Sequence, residues 1–196
     1  IRPFKGIRPR ADLASAIAAL PYDVYNSEEA REIVAAEPKS FLQIDRAETL
    51  LPKGTNPYSE AVYKTASETL NRMIDEGSFL QDKEPCYYLY ALTMNGRTQT
   101  GLVGCASIDD YCNNVILKHE NTLEAKEQDR IRHIDACNAQ TGPIFLAYRA
   151  DKKLGEIIKN VRLTPEVYDF TSDDGIRHEV WRIDKMSTIV DISKVF

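Results

Sequence analysis

The feature that most constrains the fold is a β-hairpin signal near the middle of the chain. Residues 86–94 are rich in tyrosine and leucine, the dipeptide Asn95-Gly96 follows, and residues 97–108 continue as a second strand. An Asn-Gly pair accepts the positive φ angles that a tight hairpin turn needs. An antiparallel hairpin among helices favours an α+β fold over a doubly wound parallel sheet. The sequence therefore predicts a mixed sheet with a β-hairpin and flanking helices.

Helices are predicted on both sides of this hairpin. The clearest one covers residues 58–76, where apolar side chains recur at spacings of three and four, and Gly77 ends it. Ser27 is predicted to cap a helix that runs to about Glu37, since a serine hydroxyl accepts from first-turn N–H groups. Further helices are predicted at residues 12–20, 122–138 and 152–160, and after Ser187.

Short apolar runs predict additional strands at residues 40–45, 115–118, 144–148, 166–170 and 176–183. We interpret residues 1–80 as an N-terminal part and residues 81–196 as a second α/β part. The chain stops at Val195-Phe196 with no polar tail, although natural ends usually fray into polar residues. We therefore expect the second part to be truncated and the chain to be the front of a longer protein.

Composition argues against several classes of protein. The 196 residues are 43% hydrophobic, which is enough to bury a core. The net charge of −5 argues against a nucleic-acid partner, because such proteins usually present a basic face. No apolar run approaches the roughly 20 residues that cross a bilayer. The start Ile1-Arg2-Pro3-Phe4 is unlike a signal peptide, so we expect no membrane partner.

The cysteines indicate the compartment. There are four, none of them in a Cys-x-x-Cys pair, and the three histidines are scattered. This spacing argues against a zinc site and favours reduced thiols. We therefore expect a cytoplasmic protein.

The densest polar stretch runs from His119 to His133, after a predicted strand and into a predicted helix. Asn121 and Glu124 resemble a capping box at its start. A helix start presents free N–H groups and a partial positive charge, which suit a phosphate or a carboxylate. Glu120 lies just before the helix, where its carboxylate can point into a cleft. His119 can bind phosphate or tune the pKa of Glu120.

One face of this helix carries mixed charge. Lys126, Asp129, Arg130 and His133 lie at spacings of three and four, so they share that face. It offers cations to an anionic ligand, and Asp129 offers a carboxylate to a base or metal site. The alternative is a solvated helix face of ordinary ion pairs. In either case Leu123, Ile131 and Ile134 predict that the helix packs on a core.

Two other groups are weaker candidates. Basic residues surround Gly6 on an extended segment that can meet phosphate or form a surface tail. A second group is predicted to end a strand with a local ion pair. The first group is Arg2, Lys5 and Arg8, and the second is Ser40, Asp45 and Arg46. Outside these groups, His178 beside Trp181 is predicted to have a structural role.

Several motifs, in order along nearly the whole chain, resemble the domain-of-unknown-function 1015 family. They are Pro3-Phe4-Lys5-Gly6-Ile7-Arg8-Pro9, Pro21-Tyr22-Asp23-Val24, Ser40-Phe41-Leu42, Gly101-Leu102-Val103-Gly104, Asp109-Asp110-Tyr111, the stretch from His119 to His133, and Gly142-Pro143 followed by Phe145-Leu146. Family members are typically about twice this length, and their later half carries an Asp-Gly-His-His-Arg motif that is absent here. The resemblance implies a longer protein of uncharacterised activity.

More distantly, His119-Glu120 combined with that later motif resembles the free serine kinases of the ParB/sulfiredoxin-like superfamily. This resemblance implies a ParB/sulfiredoxin-like element in the fold, with Glu120 and His119 as catalytic residues and Glu120 as the base on the substrate hydroxyl. Mg²⁺ would arrive with ATP or ADP, and no tightly bound cofactor is expected. The substrate- and phosphate-binding candidates are Lys126, Arg130, His133, Thr122 and Arg8, and the metal candidate is Asp129.

Two functions stay open. The first is a phosphotransferase or phosphatase-like enzyme that acts on a small hydroxy compound such as serine or phosphoserine. The alternative is a nucleotide- or small-molecule-binding regulatory module without catalysis. A nuclease is a third possibility that the acidic charge disfavours.

Overall fold

The computed structural model of the chain describes residues 1–118 and 122–196. The secondary structure is mixed α+β, as the hairpin and the helical stripes predict. The helices are α1 (Ala14–Ile17), α2 (Ser27–Ala36), α3 (Leu42–Asp45), α4 (Glu60–Asp75), α5 (Ile108–Cys112), α6 (Glu124–Cys137), α7 (Lys152–Val161) and α8 (Met186–Ser193). The strands are β1 (Ile7–Pro9), β2 (Phe79–Gln81), β3 (Tyr87–Met94), β4 (Arg97–Val103), β5 (Tyr168–Thr171) and β6 (Arg177–Ile183).

Contacts divide these residues into two compact units. Unit 1 contains residues 1–11, 81–118 and 146–196, and unit 2 contains residues 12–80 and 122–145. Both units are discontinuous in sequence.

Unit 1 is built on a four-stranded antiparallel sheet with the order β4-β3-β6-β5. The predicted hairpin is confirmed, because Asn95 (φ 50°) and Gly96 (φ 75°) form the turn between β3 and β4. Its second strand is shorter than predicted, since β4 ends at Val103 and residue 108 begins α5. Strands predicted around residues 166–170 and 176–183 are also confirmed as β5 and β6.

One face of this sheet packs against α7 and α8. Apolar side chains from alternating positions of β3 and β6 point to this face, as the period of a strand requires. The helices contribute leucine, valine and isoleucine from their apolar sides. The buried cluster is Tyr87, Leu89, Ala91, Leu154, Val161, Trp181, Ile183, Ile189 and Ile192.

Unit 2 is helical apart from part of β2, and α4 is its central element. The predicted helix over residues 58–76 is confirmed with slightly shorter bounds, and Gly77 follows it with a φ of 74°. The apolar stripe of α4 is buried, as the spacing predicts. The core of the unit is Ile17, Ile44, Ala47, Val62, Ala66, Leu70, Met73, Phe79 and Cys137.

The predicted cap of α2 was wrong by one residue. Asn26 caps this helix, because its Oδ1 accepts from the N–H groups of Glu28 and Glu29 at 2.9 and 3.0 Å. Glu29 returns a bond to the backbone of Asn26, which completes a capping box. Ser27 instead donates from its hydroxyl to Glu48. Similarly, Lys185 and not Ser187 is the N-terminal cap residue of α8.

Three predicted strands were wrong. Residues 40–45 contain the short helix α3, residues 115–118 form bends and coil, and residues 144–148 form no strand. An apolar run of four to six residues fits a strand and a buried helical turn equally well, and only a hydrogen-bonded neighbour decides between them. Ile144 and Phe145 remain largely exposed, at 72% and 78%.

Helix α6 forms where the sequence predicts it, but it buries different side chains. Leu123 and Ile131 are exposed, whereas His133 and Cys137 are buried. Its cap residue is Leu123, which makes no side-chain capping bond. The predicted cap Asn121 lies outside the described residues. Every helix formed by residues 1–118 and 122–196 is too short or too polar to span a bilayer.

Candidate functional site

The predicted catalytic pair, His119 and Glu120, lies outside the described residues. Its roles therefore stay predictions. What the structure describes is the helix that follows this pair and the unit 2 residues around it.

The predicted charged face of α6 divides into an outer and an inner half. Lys126, and Thr122 before the helix, are exposed to solvent, where they are accessible to a ligand. Asp129 and Arg130 are partly buried, and His133 is buried at 2% exposure. The structure therefore brings Asp129, Arg130 and His133 together with side chains from α3 and α4.

Arg130 is held from two directions. Its Nε and Nη2 donate to Oδ2 of Asp129 at 3.0 and 2.7 Å, and its guanidinium carbon lies 4.0 Å from the centre of the Tyr22 ring. Asp129 is fixed in turn, because the Tyr63 hydroxyl donates to its other oxygen at 2.8 Å. A cation–π contact and two hydrogen bonds to one carboxylate give an arginine a defined orientation. Arg130 thus presents a fixed cation, with its side chain 26% exposed.

The two bonds to Asp129 also bear on its predicted role as a metal ligand. Both carboxylate oxygens already accept hydrogen bonds, one from Tyr63 and one from the guanidinium of Arg130. A neighbouring cation of this kind does not suit a carboxylate that must also bind Mg²⁺. Among residues 1–118 and 122–196 there is also no group of three or more side chains arranged to hold a metal ion.

Asp45, at the end of α3, is the unusual member of this cluster. Its side chain is 12% exposed, and Oδ1 has no hydrogen-bond partner in the described part of the chain. Two nitrogens, Nη1 of Arg130 and Nε2 of His133, each lie 3.9 Å from this oxygen. Burial raises the pKa of Asp45, although hydrogen bonding to Thr141 and the proximity of His133 and Arg130 oppose that shift.

His133 connects α6 to α3. Its Nε2 donates to the carbonyl oxygen of Ile44 at 3.0 Å, while Nδ1 faces the Cys137 thiol at 3.9 Å and the Thr141 hydroxyl at 3.5 Å. Burial also raises the pKa of Cys137, to about 11. A histidine enclosed in this way orients α6 and is not exposed to a phosphate that arrives from solvent.

We expect Asp45→Asn to raise the free energy of unfolding at neutral pH. The pKa of Asp45 is raised in the folded state, so the folded protein holds this proton more tightly than the unfolded chain does. The stabilisation that protonated Asp45 contributes is fully present below the ordinary carboxyl pKa of about 4. It is lost as the pH rises through the pKa that Asp45 has in the folded protein. An asparagine does not ionise, so it avoids that loss.

Urea unfolding over a pH series, with Asp135→Asn as the control, measures this effect. Asp135 is an exposed carboxylate on the same helix. The gain in the free energy of unfolding of Asp45→Asn over wild type is expected to grow with pH, and no such growth is expected for Asp135→Asn. A gain that is the same at every pH would contradict a raised pKa at Asp45.

Arg8, the remaining predicted phosphate ligand, belongs to unit 1. Its guanidinium donates to both oxygens of Asp82, from Nε at 2.9 Å and from Nη2 at 3.0 Å. Arg182 and the hydroxyl of Tyr88 donate to the same carboxylate. Sequence reasoning missed Asp82, Arg182 and Tyr88, because no local pattern connects residues this far apart. The charge of Arg8 is thereby committed to an ion pair within unit 1.

Arg46 and His178 also make defined contacts. Arg46 does not pair with Asp45 as expected, since its Nε donates to Glu48 at 2.7 Å. His178 makes structural contacts, as predicted. Its ring stacks on Phe170, and its two nitrogens lie within hydrogen-bonding distance of Tyr90 and Ser172.

Comparison with known proteins identifies a family but no relative of known activity. A family model described as "Protein of unknown function (DUF1015)" matches residues 1–196, which is the whole sequence. No curated protein matches the chain. No solved structure matches it. The family predicted from the motifs is confirmed, whereas the ParB/sulfiredoxin-like resemblance gains no support from these comparisons.

Proposed function

The chain belongs to the DUF1015 family, and on that premise we propose that it is part of a phosphotransferase acting on a small hydroxy compound. Free serine or phosphoserine is the leading substrate. The observation that supports this most is Arg130, a partly exposed guanidinium fixed by Asp129 and Tyr22 on the helix that follows His119-Glu120. A fixed cation for the phosphoryl oxygens is one of the parts that phosphoryl transfer requires of a protein.

The proposed roles divide between the two ends of this region. Glu120 accepts the proton of the substrate hydroxyl as the hydroxyl oxygen attacks the terminal phosphorus atom of ATP or ADP. The bond from that phosphorus to the bridging oxygen breaks, and ADP or AMP leaves. His119 and Thr122 contact the phosphate or the substrate. Arg130, with Lys126 on the exposed side of α6, balances the charge on the phosphoryl oxygens. Mg²⁺ enters with the phosphates of ATP or ADP, and Asp129 serves to position Arg130.

The remaining parts of the phosphate site are proposed to come from a ParB/sulfiredoxin-like element and from an Asp-Gly-His-His-Arg motif beyond Phe196. We further propose that the protein works in the cytoplasm on a small molecule, without a nucleic-acid partner. The four free cysteines support this setting, since Cys105 and Cys112 are exposed thiols that an oxidising compartment would modify.

We expect Glu120→Gln to lower the turnover of serine with ATP or ADP by about a hundredfold or more, because a general base typically contributes at least that factor. The amide is nearly the same size as the carboxylate but cannot accept the proton. The measurement is the rate at which the longest natural protein that contains this sequence forms free phosphoserine from serine. Glu124→Gln, an exposed carboxylate at the start of α6, is the matched control.

Retained turnover in Glu120→Gln would contradict the role of Glu120. If neither serine nor phosphoserine is converted by the wild-type protein, the phosphotransferase assignment itself is lost.

The alternative is a regulatory module that binds a nucleotide or small molecule without catalysis. One observation favours it: neither carboxylate near Arg130 is free to accept a proton from a substrate. Asp129 already accepts hydrogen bonds, and Asp45 is buried. Neither is placed to act as a base in this arrangement. Calorimetric titration separates the two functions, because a module binds a nucleotide and forms no product.

A further inference from the structure

We propose that strand β4 is a dimerisation edge, along which a second copy of this chain adds its own β4 in antiparallel orientation. The four-stranded sheets of the two copies then join into one continuous sheet about a two-fold axis. This inference goes beyond the proposed function and does not depend on it, because it rests on unit 1 alone.

Strand β4 lies at one edge of the sheet and pairs with β3 on one side. The pair that closes a two-residue turn exchanges its backbone hydrogen bonds, so Met94 and Arg97 are a bonded pair. Bonded and non-bonded pairs then alternate along the strand. The N–H and C=O groups of Thr98, Thr100 and Leu102 therefore point away from β3. In the described part of the chain these groups have no backbone partner.

The β4 edge lacks the features that usually stop another strand from pairing. Such features are a very short strand, a bulge, a proline or a charged side chain. The pairing of β4 with β3 runs unbroken from Arg97 to Val103, and residues 98–103 contain neither a charge nor a proline. The opposite edge, β5, is only four residues long, carries Asp169 and is followed by Asp173. The protein thus protects one edge of its sheet and leaves the other open.

The sequence of β4 suits pairing with a second copy of itself. With the two-fold axis at Thr100, this residue faces its own counterpart, and Thr98 faces Leu102 of the second copy. All three outward-facing residues are then paired, and each pair exchanges two backbone hydrogen bonds. A shift of the register by two residues in either direction leaves one of the three without a partner on β4. The register centred on Thr100 is therefore the most complete one.

Charge and side-chain chemistry agree with this register. The charged residue of β4 is Arg97. Antiparallel pairing places its two copies about 20 Å apart, at roughly 3.4 Å per residue, which exceeds the Debye length of about 8 Å. Thr100 meets its counterpart as Thr93 meets Thr98 within the hairpin, where the two Oγ1 atoms lie 2.7 Å apart. Leu102 is partly buried at the margin of the unit 1 core, and Thr98 of the second copy covers it further.

Sedimentation velocity of the longest natural protein that contains this sequence, over a series of concentrations, tests the dimer. Wild-type protein is expected to self-associate with a dissociation constant below about 1 mM. Thr100→Lys places two ammonium groups directly opposite each other, and it is expected to raise the dissociation constant about fivefold, the upper end for one cross-strand pair. Thr171→Lys, the same change at an exposed threonine of β5, is the matched control and is expected to have no effect.

Charge reversal tests the position of the two-fold axis. Thr100→Glu is expected to weaken self-association as Thr100→Lys does. An equimolar mixture of these two variants is expected to associate at least as tightly as wild type, because opposite charges then face each other across the axis. A mixture of Thr98→Lys and Thr98→Glu is expected to show no such recovery, since residue 98 faces Leu102 and not its own counterpart.

Disulfide cross-linking gives a second measurement that needs no charged variant. In protein whose exposed Cys105 and Cys112 are replaced by serine, mild oxidation is expected to join two copies of Thr100→Cys. The Cα atoms of a bonded antiparallel pair lie about 5.5 Å apart, which a disulfide can span. Thr98→Cys, whose two copies lie about 14 Å apart at roughly 3.4 Å per residue, is expected to stay uncross-linked.

A wild-type protein that sediments as a monomer at every concentration would overturn the inference. Equal association of Thr100→Lys and Thr171→Lys, or a mixture of the Thr100 variants that fails to recover, would overturn it as well. If thermal unfolding shows that a charged variant does not fold, the cysteine pair decides the question. Equal cross-linking of Thr98→Cys and Thr100→Cys would then contradict the proposed register and the dimer with it.

Discussion

Replacing Asp82 by alanine is expected to lower the free energy of unfolding by about 3 to 5 kcal/mol, the range for breaking a buried ion pair by removing one partner. The Asp82 side chain is only 4% exposed and receives hydrogen bonds from Arg8, Arg182 and Tyr88. Its backbone N–H also donates to the carbonyl of Gly6 at 2.9 Å. Alanine leaves two guanidinium groups and a phenol without their shared acceptor.

Urea unfolding of Asp82→Ala beside Asp184→Ala measures this cost. Asp184 also accepts from Arg182, at 2.6 Å, but its side chain is 53% exposed. An exposed pair contributes less than about 1 kcal/mol, so the control is expected to be nearly neutral. A similar loss of unfolding free energy in the two variants would contradict the role of Asp82 as the buried acceptor of this ion pair.

The same carboxylate predicts an acid-sensitive contribution. Burial alone would raise the pKa of Asp82, but the bonds from Arg8, Tyr88 and Arg182 outweigh it and lower the pKa to about 2. The stabilisation is therefore complete above the ordinary carboxyl pKa of about 4 and is lost as the pH falls toward 2. The difference in the free energy of unfolding between wild type and Asp82→Asn is expected to become smaller as the pH falls from about 4 toward 2.

Replacing Gly6 by alanine is expected to destabilise the protein by about 3 kcal/mol, from overpacking and a weakened hydrogen bond. A Cβ atom at Gly6 would lie 2.3 Å from the Tyr88 hydroxyl oxygen and 2.9 Å from Cζ of the ring. Tyr88 cannot move away easily. Its hydroxyl donates to Asp82, and its ring packs edge-on against Phe4 with centroids 5.5 Å apart.

Gly155→Ala is the matched control for this substitution. Gly155 lies inside α7, and a Cβ there meets nothing within 4 Å. Alanine at a helical position of that kind is expected to stabilise the fold by up to about 1 kcal/mol. Thermal unfolding of both variants gives the comparison, and a Gly6→Ala variant as stable as wild type would show that Tyr88 is not held in place.

Local sequence signals predicted the elements that depend on local chemistry. The turn at Asn95-Gly96 needs only its two residues, and the stripe of α4 needs only its helical period. The strand predicted at residues 40–45 failed because Leu42, Gln43 and Ile44 are all buried in one short helical turn. Burial of consecutive residues gives the same apolar run as a central strand.

In the candidate site, too, local sequence signals predicted the contacts within one helix and missed those between helices. Helical spacing on α6 correctly grouped Asp129, Arg130 and His133. It gave no indication of Tyr63, which lies 66 residues from its partner Asp129. Asp45 was singled out for an ion pair with its neighbour, whereas its environment is set by α6. Contacts of this kind depend on how helices pack, which residue spacing within one helix does not encode.

We propose that α6 presents Arg130 to a phosphate, whether the protein is an enzyme or a binding module. Titration of the protein with ADP and Mg²⁺ in a calorimeter tests it most directly. Saturable binding that weakens about tenfold or more in Arg130→Gln, and stays unchanged in Arg132→Gln, is the predicted result. Identical isotherms for the two variants, or no heat of binding in the wild-type protein, would contradict the claim.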